Sequence, residues 1–228
     1  MSEAVKKMFS RIAKDYDRMN SILSFGIHHR WRKVAADKAN LQDGMKILDC
    51  ATGTGDLAIA FANRLNGQSE VIGMDFNEDM MAIAKQKASS QGKHIKFETG
   101  DVMALNYPDN YFDIASISFG IRNVDNPKKG LSEMARVVKS GGKVIVLEFG
   151  QPDDWFKIPY NFYNKFIPAI GKVIAKDKSA YTYLPNTTQR FPAGDKFVKI
   201  MQETEKFSDI YCKKLTHGVC YLYIGTVK

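Results

Sequence analysis

Short apolar runs that end in or beside a carboxylate alternate along the chain with stretches whose apolar positions recur at three- and four-residue spacing. Strand character falls on residues 46–49, 71–75, 95–99, 112–117 and 143–149. Between these runs, Leu57, Ile59, Ala60 and Leu65 share one helical face, a helix is expected from Asn77 to about Ser89, and Asn126-Pro127 opens another that ends at Val138. Tyr107-Pro108-Asp109-Asn110 and Ser140-Gly141-Gly142 read as turns. This alternation predicts an α/β fold, a parallel sheet with helices on both faces.

Before this unit, Val5, Met8, Phe9 and Ile12 lie on one face of an amphipathic helix over 4–14. The segments Tyr16-Asp17-Arg18-Met19-Asn20, Leu23-Ser24-Phe25-Gly26 and His28-His29-Arg30-Trp31 read as a loop-to-helix passage, with helix resuming near Ile27 and running to about Lys38. After the unit, residues 155–175 are helix-like and rich in Trp, Phe and Tyr, which suits an extra packing layer, a greasy pocket or a membrane-contacting surface. Residues 194–206 read as a last helix, and 208–216 and 219–227 as a hairpin about His217-Gly218 that adds an antiparallel strand at the sheet's edge. The expected organisation is one domain, 1–228, with 1–40 a helical lid or substrate element and 150–193 an aromatic insertion.

Candidate chemistry begins where the first strand runs out. Gly53 and Gly55 bracket Thr54, so the backbone can lie close against a ligand where a Cβ would obstruct it. Asp75 closes the second strand, where it is placed to accept hydrogen bonds from both ribose hydroxyls of a nucleoside. Gly53-x-Gly55-x-x-Ala58 also satisfies the loose dinucleotide fingerprint. The deciding residue is Asp49 at the end of the first strand, which would repel a pyrophosphate but attract the ammonium and sulfonium of S-adenosylmethionine. Asp101, after the third strand, is a candidate for holding an adenine amino group. The hexapeptide from Ser118 to Asn123 leaves the fourth strand toward the same crevice, and Glu148 closes the fifth.

Composition narrows the surroundings. The 228 residues are 44% hydrophobic and 25% charged, enough for one α/β core. No run reaches the roughly 18 apolar residues of a membrane span, and the first thirty residues lack an apolar signal core, so a cytoplasmic location is expected. Cys50, Cys212 and Cys220 have no metal-ligand spacing and read as reduced thiols. A net charge of +8 favours anionic partners, nucleic acid or an acidic membrane surface, although scattered lysines also serve solubility.

With the Asp49, glycine-turn and Asp75 set in a parallel unit closed by a hairpin, the chain resembles the class I S-adenosylmethionine-dependent methyltransferases, a Rossmann-like fold with a seven-stranded, mostly parallel sheet. Three further segments resemble signatures of the UbiE/COQ5 family of quinone-biosynthesis C-methyltransferases: Tyr16-Asp-x-Met-Asn-x-x-x-Ser24-x-x-x-His28-x-x-Trp31; the central pair Ser118-Phe-Gly-Ile-Arg122-Asn123-Val124 and 136–149; and Tyr183-Leu184-x-x-Thr187-x-x-x-Phe191-Pro192. Small departures are Ser140 where the family generally has proline, Thr187 where serine is usual, and Ala51-Thr52 before the turn.

The resemblance implies that Thr54, Asp75, Asp101, Val102 and Ser118 bind the cofactor, S-adenosyl-L-methionine, and that Arg122 and Asn123 lie beside a prenylated quinol. It implies methylation of demethylmenaquinol to menaquinol, with a polyprenyl benzoquinol of ubiquinone biosynthesis as the alternative. On that reading, His28 or a water held by Arg122 removes a quinol proton, Arg122 stabilises the phenolate, and Asn123 and Tyr16 orient the ring. By itself, His28 beside Trp31 reads more readily as a capping or packing residue. No metal is required. A bilayer-resident substrate implies peripheral contact with the anionic inner membrane, and a homodimer or association with other quinone-biosynthesis enzymes is compatible with this. Two rival classes are a non-catalytic quinone- or cofactor-binding subunit and an RNA or DNA methyltransferase. The second lacks both the Asn/Asp-Pro-Pro-aromatic clamp and a placed cysteine nucleophile, so no nucleic-acid partner is expected.

Overall fold

The structure is a computed structural model that describes residues 3–152, 154–164, 183 and 186–228. Helices α1 (Glu3–Leu23) and α2 (Ile27–Lys38) precede an alternating unit: β1 (Lys46–Cys50), α3 (Asp56–Ala62), β2 (Glu70–Asp75), α4 (Glu78–Ser90), β3 (Lys96–Thr99), β4 (Phe112–Ser118), α5 (Pro127–Val137) and β5 (Val138–Phe149). Helices α6 (Lys157–Asn164) and α7 (Asp195–Gln202) follow, then β6 (Phe207–Leu215) and β7 (Cys220–Val227). The strands form one sheet in the order β3-β2-β1-β4-β5-β7-β6, in which β7 runs antiparallel to both its neighbours.

Strand pleating divides the core. Ile47, Ile114 and Leu147 face one side with Trp31 of α2 and Leu57 and Phe61 of α3, while Leu48, Ile117 and Val146 face the other with Leu131 of α5 and Phe197 of α7. Successive residues thus serve opposite faces, which is why these strands read as unbroken apolar runs. Side chains cap two of the helices: Asn77 Oδ1 accepts from Met80 N, and Asn126 Oδ1 accepts from Lys129 N.

The sequence reading differs from the structure at several places. Helix α1 continues through Tyr16-Asn20 to Leu23, because Met19 extends the buried face of Ile12 and nothing breaks the helix until Phe25 and Gly26 turn to positive φ. The Ser140-Gly141-Gly142 turn lies inside β5, where the register jumps from Phe112 opposite Val138 to Ile114 opposite Lys143. Helix α7 ends at Gln202, short of residue 206, with Glu205 at positive φ. At the hairpin, β6 takes the sheet's edge and β7 sits between it and β5, joined by a 3-10 turn at Thr216–Gly218. In the aromatic insertion α6 covers 157–164, and residues 165–182 lie outside the described residues.

Candidate active site

The crevice forms where β1 and β4 deliver their carboxyl ends. Gly53 has φ +55°, and a Cβ placed on it would meet nothing within 4 Å, so its bare face opens on the cleft. At Gly55, φ is +81° and a Cβ would come within 2.9 Å of Ala84, which brings the turn hard against α4. Asp75 ties this turn down: one carboxylate oxygen accepts from Gly53 N at 2.8 Å and the other from Asn77 N at 2.9 Å. Burial raises its pKa against these bonds and a third from the Phe76 backbone.

Asp49 occupies a different position from the one its sequence suggested. It is 0% exposed beneath the turn, with Ser116 Oγ donating to one oxygen at 2.6 Å and Thr52 Oγ1 to the other at 2.7 Å. Burial pushes its pKa up to about 6. The carboxyl group braces β1, β4 and the turn, and it does not line the cleft. Asp101 is exposed beyond β3, with one oxygen accepting from Met103 N, and Val102 is packed in the core; the cleft is lined by neither. Thr54, Ser118 and Asn123 do line it.

A charged cluster closes α1 and α2 over the turn. Thr54 Oγ1 donates to Asp17 at 2.6 Å, Lys87 Nζ reaches Asp17 at 2.7 Å and also pairs with Asp56, and Arg32 lies 3.1 Å from Asp56. Burial would raise Asp56, yet Arg32 and Lys87 together hold it below the usual carboxylate range. Sequence reasoning missed Arg32 and Lys87 because α2 and α4 reach the turn only through the fold, and it missed that Asp56, the residue after Gly55, is the carboxylate both cations pair with. Asp17 sits inside the N-terminal signature and Asp56 beside the turn, the two available pointers.

Beside the polar cleft lies an apolar cavity of about 780 Å3, walled by Trp31, Phe119, Phe149, Phe156 and Tyr160. Tyr16, Arg32 and Phe119 line both spaces, so the two meet there. His28 and Arg122 line the cavity, which unites three of the sequence-predicted catalytic residues around one space. Asn123 sits on the cleft side, its Oδ1 accepting from the Tyr183 hydroxyl at 2.9 Å. Burial raises the Tyr16 pKa although Arg122 opposes it.

Arg122 is locked in place. Its Nη1 donates to Glu148 Oε1 and to Phe119 O, both at 2.6 Å, and its guanidinium lies 5.2 Å from the Phe149 ring centre. Glu148, 0% exposed, also accepts from Phe149 N. Buried nitrogens without a partner remain on both arginines, Nε on Arg122 and Nε on Arg32. His28 is lowered to about 4, first by burial and then by the charge of Arg32. Its ring, that of His29 and the Asp56 carboxylate converge within 4.8 Å, and Arg32 and Lys87 already supply the cations there.

The sheet order with its antiparallel β7, and a glycine turn bracketed by buried acids, define a methyltransferase fold of class I. It matches the solved structure of a SAM-dependent methyltransferase from Thermotoga maritima with a TM-score of 0.66 at 20% identity, covering 97% of this chain and 99% of that one. Phosphoethanolamine N-methyltransferase 2 of Haemonchus contortus, solved with S-adenosyl-L-methionine, matches with a TM-score of 0.61 at 19% identity over 81% of this chain and 38% of that one. The ubiE/COQ5 methyltransferase family model matches residues 1–227, and the chain belongs to that family. Among its relatives, the ubiquinone/menaquinone biosynthesis C-methyltransferase UbiE of Bdellovibrio bacteriovorus is 47% identical over 99% of this chain and 97% of its own length. The demethylmenaquinone methyltransferase of Bacteroides fragilis is 40% identical over 99% and 93%.

Proposed function

We propose that the protein transfers a methyl group from S-adenosyl-L-methionine to a ring carbon of a prenylated quinol, converting demethylmenaquinol to menaquinol. The observation that carries this is the junction of two unlike spaces, a polar cleft at the glycine turn and a large apolar cavity, with Tyr16, Arg32 and Phe119 common to both. A nucleoside suits the first and an aromatic ring with an isoprenoid tail the second.

The cleft residues fit the cofactor. The Asp75 carboxylate lines the cleft with both oxygens held by backbone N–H groups and is the acceptor for the ribose hydroxyls, while Gly53 offers an unobstructed face. Asp75, Gly53, Thr54 and Ser118 would hold it, and when bound it supplies an electrophilic methyl on a sulfonium. The chain's own work is on the quinol. Phe119 and Phe149, in contact with each other, form one wall against the ring, Tyr16 at the junction and Asn123 from the cleft side orient it, and the positive charge of Arg122 and Arg32 stabilises the oxygen as it becomes anionic. His28 Nε2 accepts the hydroxyl proton. The two guanidinium charges are essential to this transfer. A phenol-like proton near pKa 10 and a histidine near 4 differ by roughly six pKa units, about 8 kcal/mol, so the base acts only where the phenolate is stabilised as it forms.

The test is transfer of labelled methyl groups by the purified protein to demethylmenaquinol and to a polyprenyl demethylbenzoquinol. Label on the naphthoquinol is the expected result. Label on the benzoquinol alone would move the substrate to ubiquinone biosynthesis, and label on neither would overturn the proposal.

We further propose that the protein works at the surface of an anionic membrane. None of the described helices is long and apolar enough to cross a bilayer. On α1, among residues 5–23, the exposed ones are Lys7, Arg11, Lys14, Arg18 and Ile22, with the four cations inside an arc of roughly 60° at 100° per residue. Phe25, 85% exposed on the cavity rim, follows that helix. A basic stripe leading to apolar residues beside the mouth of a greasy cavity suits lifting a substrate from an anionic bilayer.

A further inference from the structure

The Ser24 hydroxyl lies 2.6 Å from the Asn20 carbonyl oxygen and 2.6 Å from His28 Nδ1. A serine has one proton, and the carbonyl can only accept, so that proton belongs to the bond with Asn20. The contact with His28 then requires a proton on the ring, with Nδ1–H donating to Ser24 Oγ. Resting on the reading of His28 as base, we infer that Ser24 is a positioning residue that holds His28 in the Nδ1–H tautomer and leaves Nε2 bare as the proton acceptor of the reaction.

The backbone is shaped for this contact. Ser24 follows the last turn of α1, and His28 stands in the first turn of α2. Between them Phe25 and Gly26 both take positive φ, +49° and +72°, closed by Gly26 N donating to Ser21 O at 2.8 Å and Ile27 N to Ser24 O at 3.0 Å. Phenylalanine rarely adopts this conformation, and its ring is left mostly in solvent. The strained reversal brings the serine hydroxyl back onto the imidazole. Both residues line the apolar cavity, and Nε2 has no hydrogen-bond partner among the described residues.

The surroundings keep the ring neutral. Arg32 and His29 from its own helix and Lys87 from α4 oppose a proton on His28, and Asp56 of α3 favours one. Tyr16 and Arg122 face the same cavity. In the proposed step the quinol O–H bond breaks, the electron pair stays on oxygen, and the proton adds to the Nε2 lone pair. The resulting imidazolium keeps its Nδ1–H bond to Ser24, so no partner has to reorient.

Long-range proton–nitrogen spectra of histidine-labelled wild-type protein at pH 7 read the tautomer directly, and His28→Asn assigns the signal. A protonated Nδ1 with a bare Nε2 is expected; a protonated Nε2 would overturn the inference. Ser24→Ala should mix the tautomers and lower kcat roughly tenfold with little change in the quinol KM, while Ser24→Thr, which keeps the hydroxyl, should restore both. A Ser24→Ala protein with a mixed tautomer and full kcat would sink the inference. Full turnover by His28→Asn would instead remove the base role from the proposed function and leave the tautomer assignment standing.

Discussion

Arg122 and Glu148 are paired where the water is gone, and the pairing decides how either can be tested. Removing the guanidinium would strand a fully buried carboxylate, at a cost of about 3–5 kcal/mol. Arg122→Ala is therefore expected to lower the denaturation midpoint as well as activity. Arg122→Lys keeps a charge beside Glu148 but loses the planar donor set, so it should stay folded, bind the cofactor by calorimetry, and show a depressed kcat. Asp49 offers a second test at this scale. Its folded pKa of about 6 lies above the ordinary carboxylate value, so its contribution is present in full below about pH 4 and is lost as pH rises through 6. The stability of Asp49→Asn relative to wild type should accordingly rise by about 2 kcal/mol between pH 4 and 6, and by about 3 kcal/mol over the whole titration, if the two hydrogen bonds survive. Urea unfolding across that range measures it. His28 gives a third, because its lowered pKa sets where it becomes charged: kcat/KM should persist below pH 6.5 and fall only as pH drops through about 4.

At the scale of elements, α1 has two working faces. One buries Met8, Phe9, Ile12 and Met19 against α4 and supplies Asp17 to the turn, and the other exposes the stripe from Lys7 to Arg18. Reversing Lys7, Arg11, Lys14 and Arg18 to Glu should abolish co-sedimentation with anionic vesicles while kcat on a detergent-dispersed quinol is kept; unchanged sedimentation would count against the membrane role. The first face was half visible in the sequence. The apolar spacing over 4–14 revealed a helix, but Tyr16 to Leu23 mixes acids, aromatics and amides in a way that hid its continuation. Helix α2 was legible at both ends, because a glycine precedes it and polar residues without apolar spacing follow.

Across the whole molecule the sheet holds a cleft and a cavity in fixed relation. The cavity should reward apolar length: adding one prenyl unit to a tailless quinol should raise kcat/KM about tenfold or more, with the gain ending once the space is full. Steady-state kinetics on a series of tail lengths would show it, and indifference to the tail would assign the cavity to another occupant. The sequence by itself determined the alternation of strands and helices, the glycine turn, Asp75 and the family signatures, because these depend on backbone conformations and spacings that neighbouring residues specify locally. Only the tertiary structure decided that Asp49 is a brace, that Arg122 is held by Glu148, and that Arg32, Asp56 and Lys87 meet Asp17 above the turn. Those facts depend on which side chains distant segments bring into one desiccated space, where burial and pairing, rather than residue type, fix what each group can do.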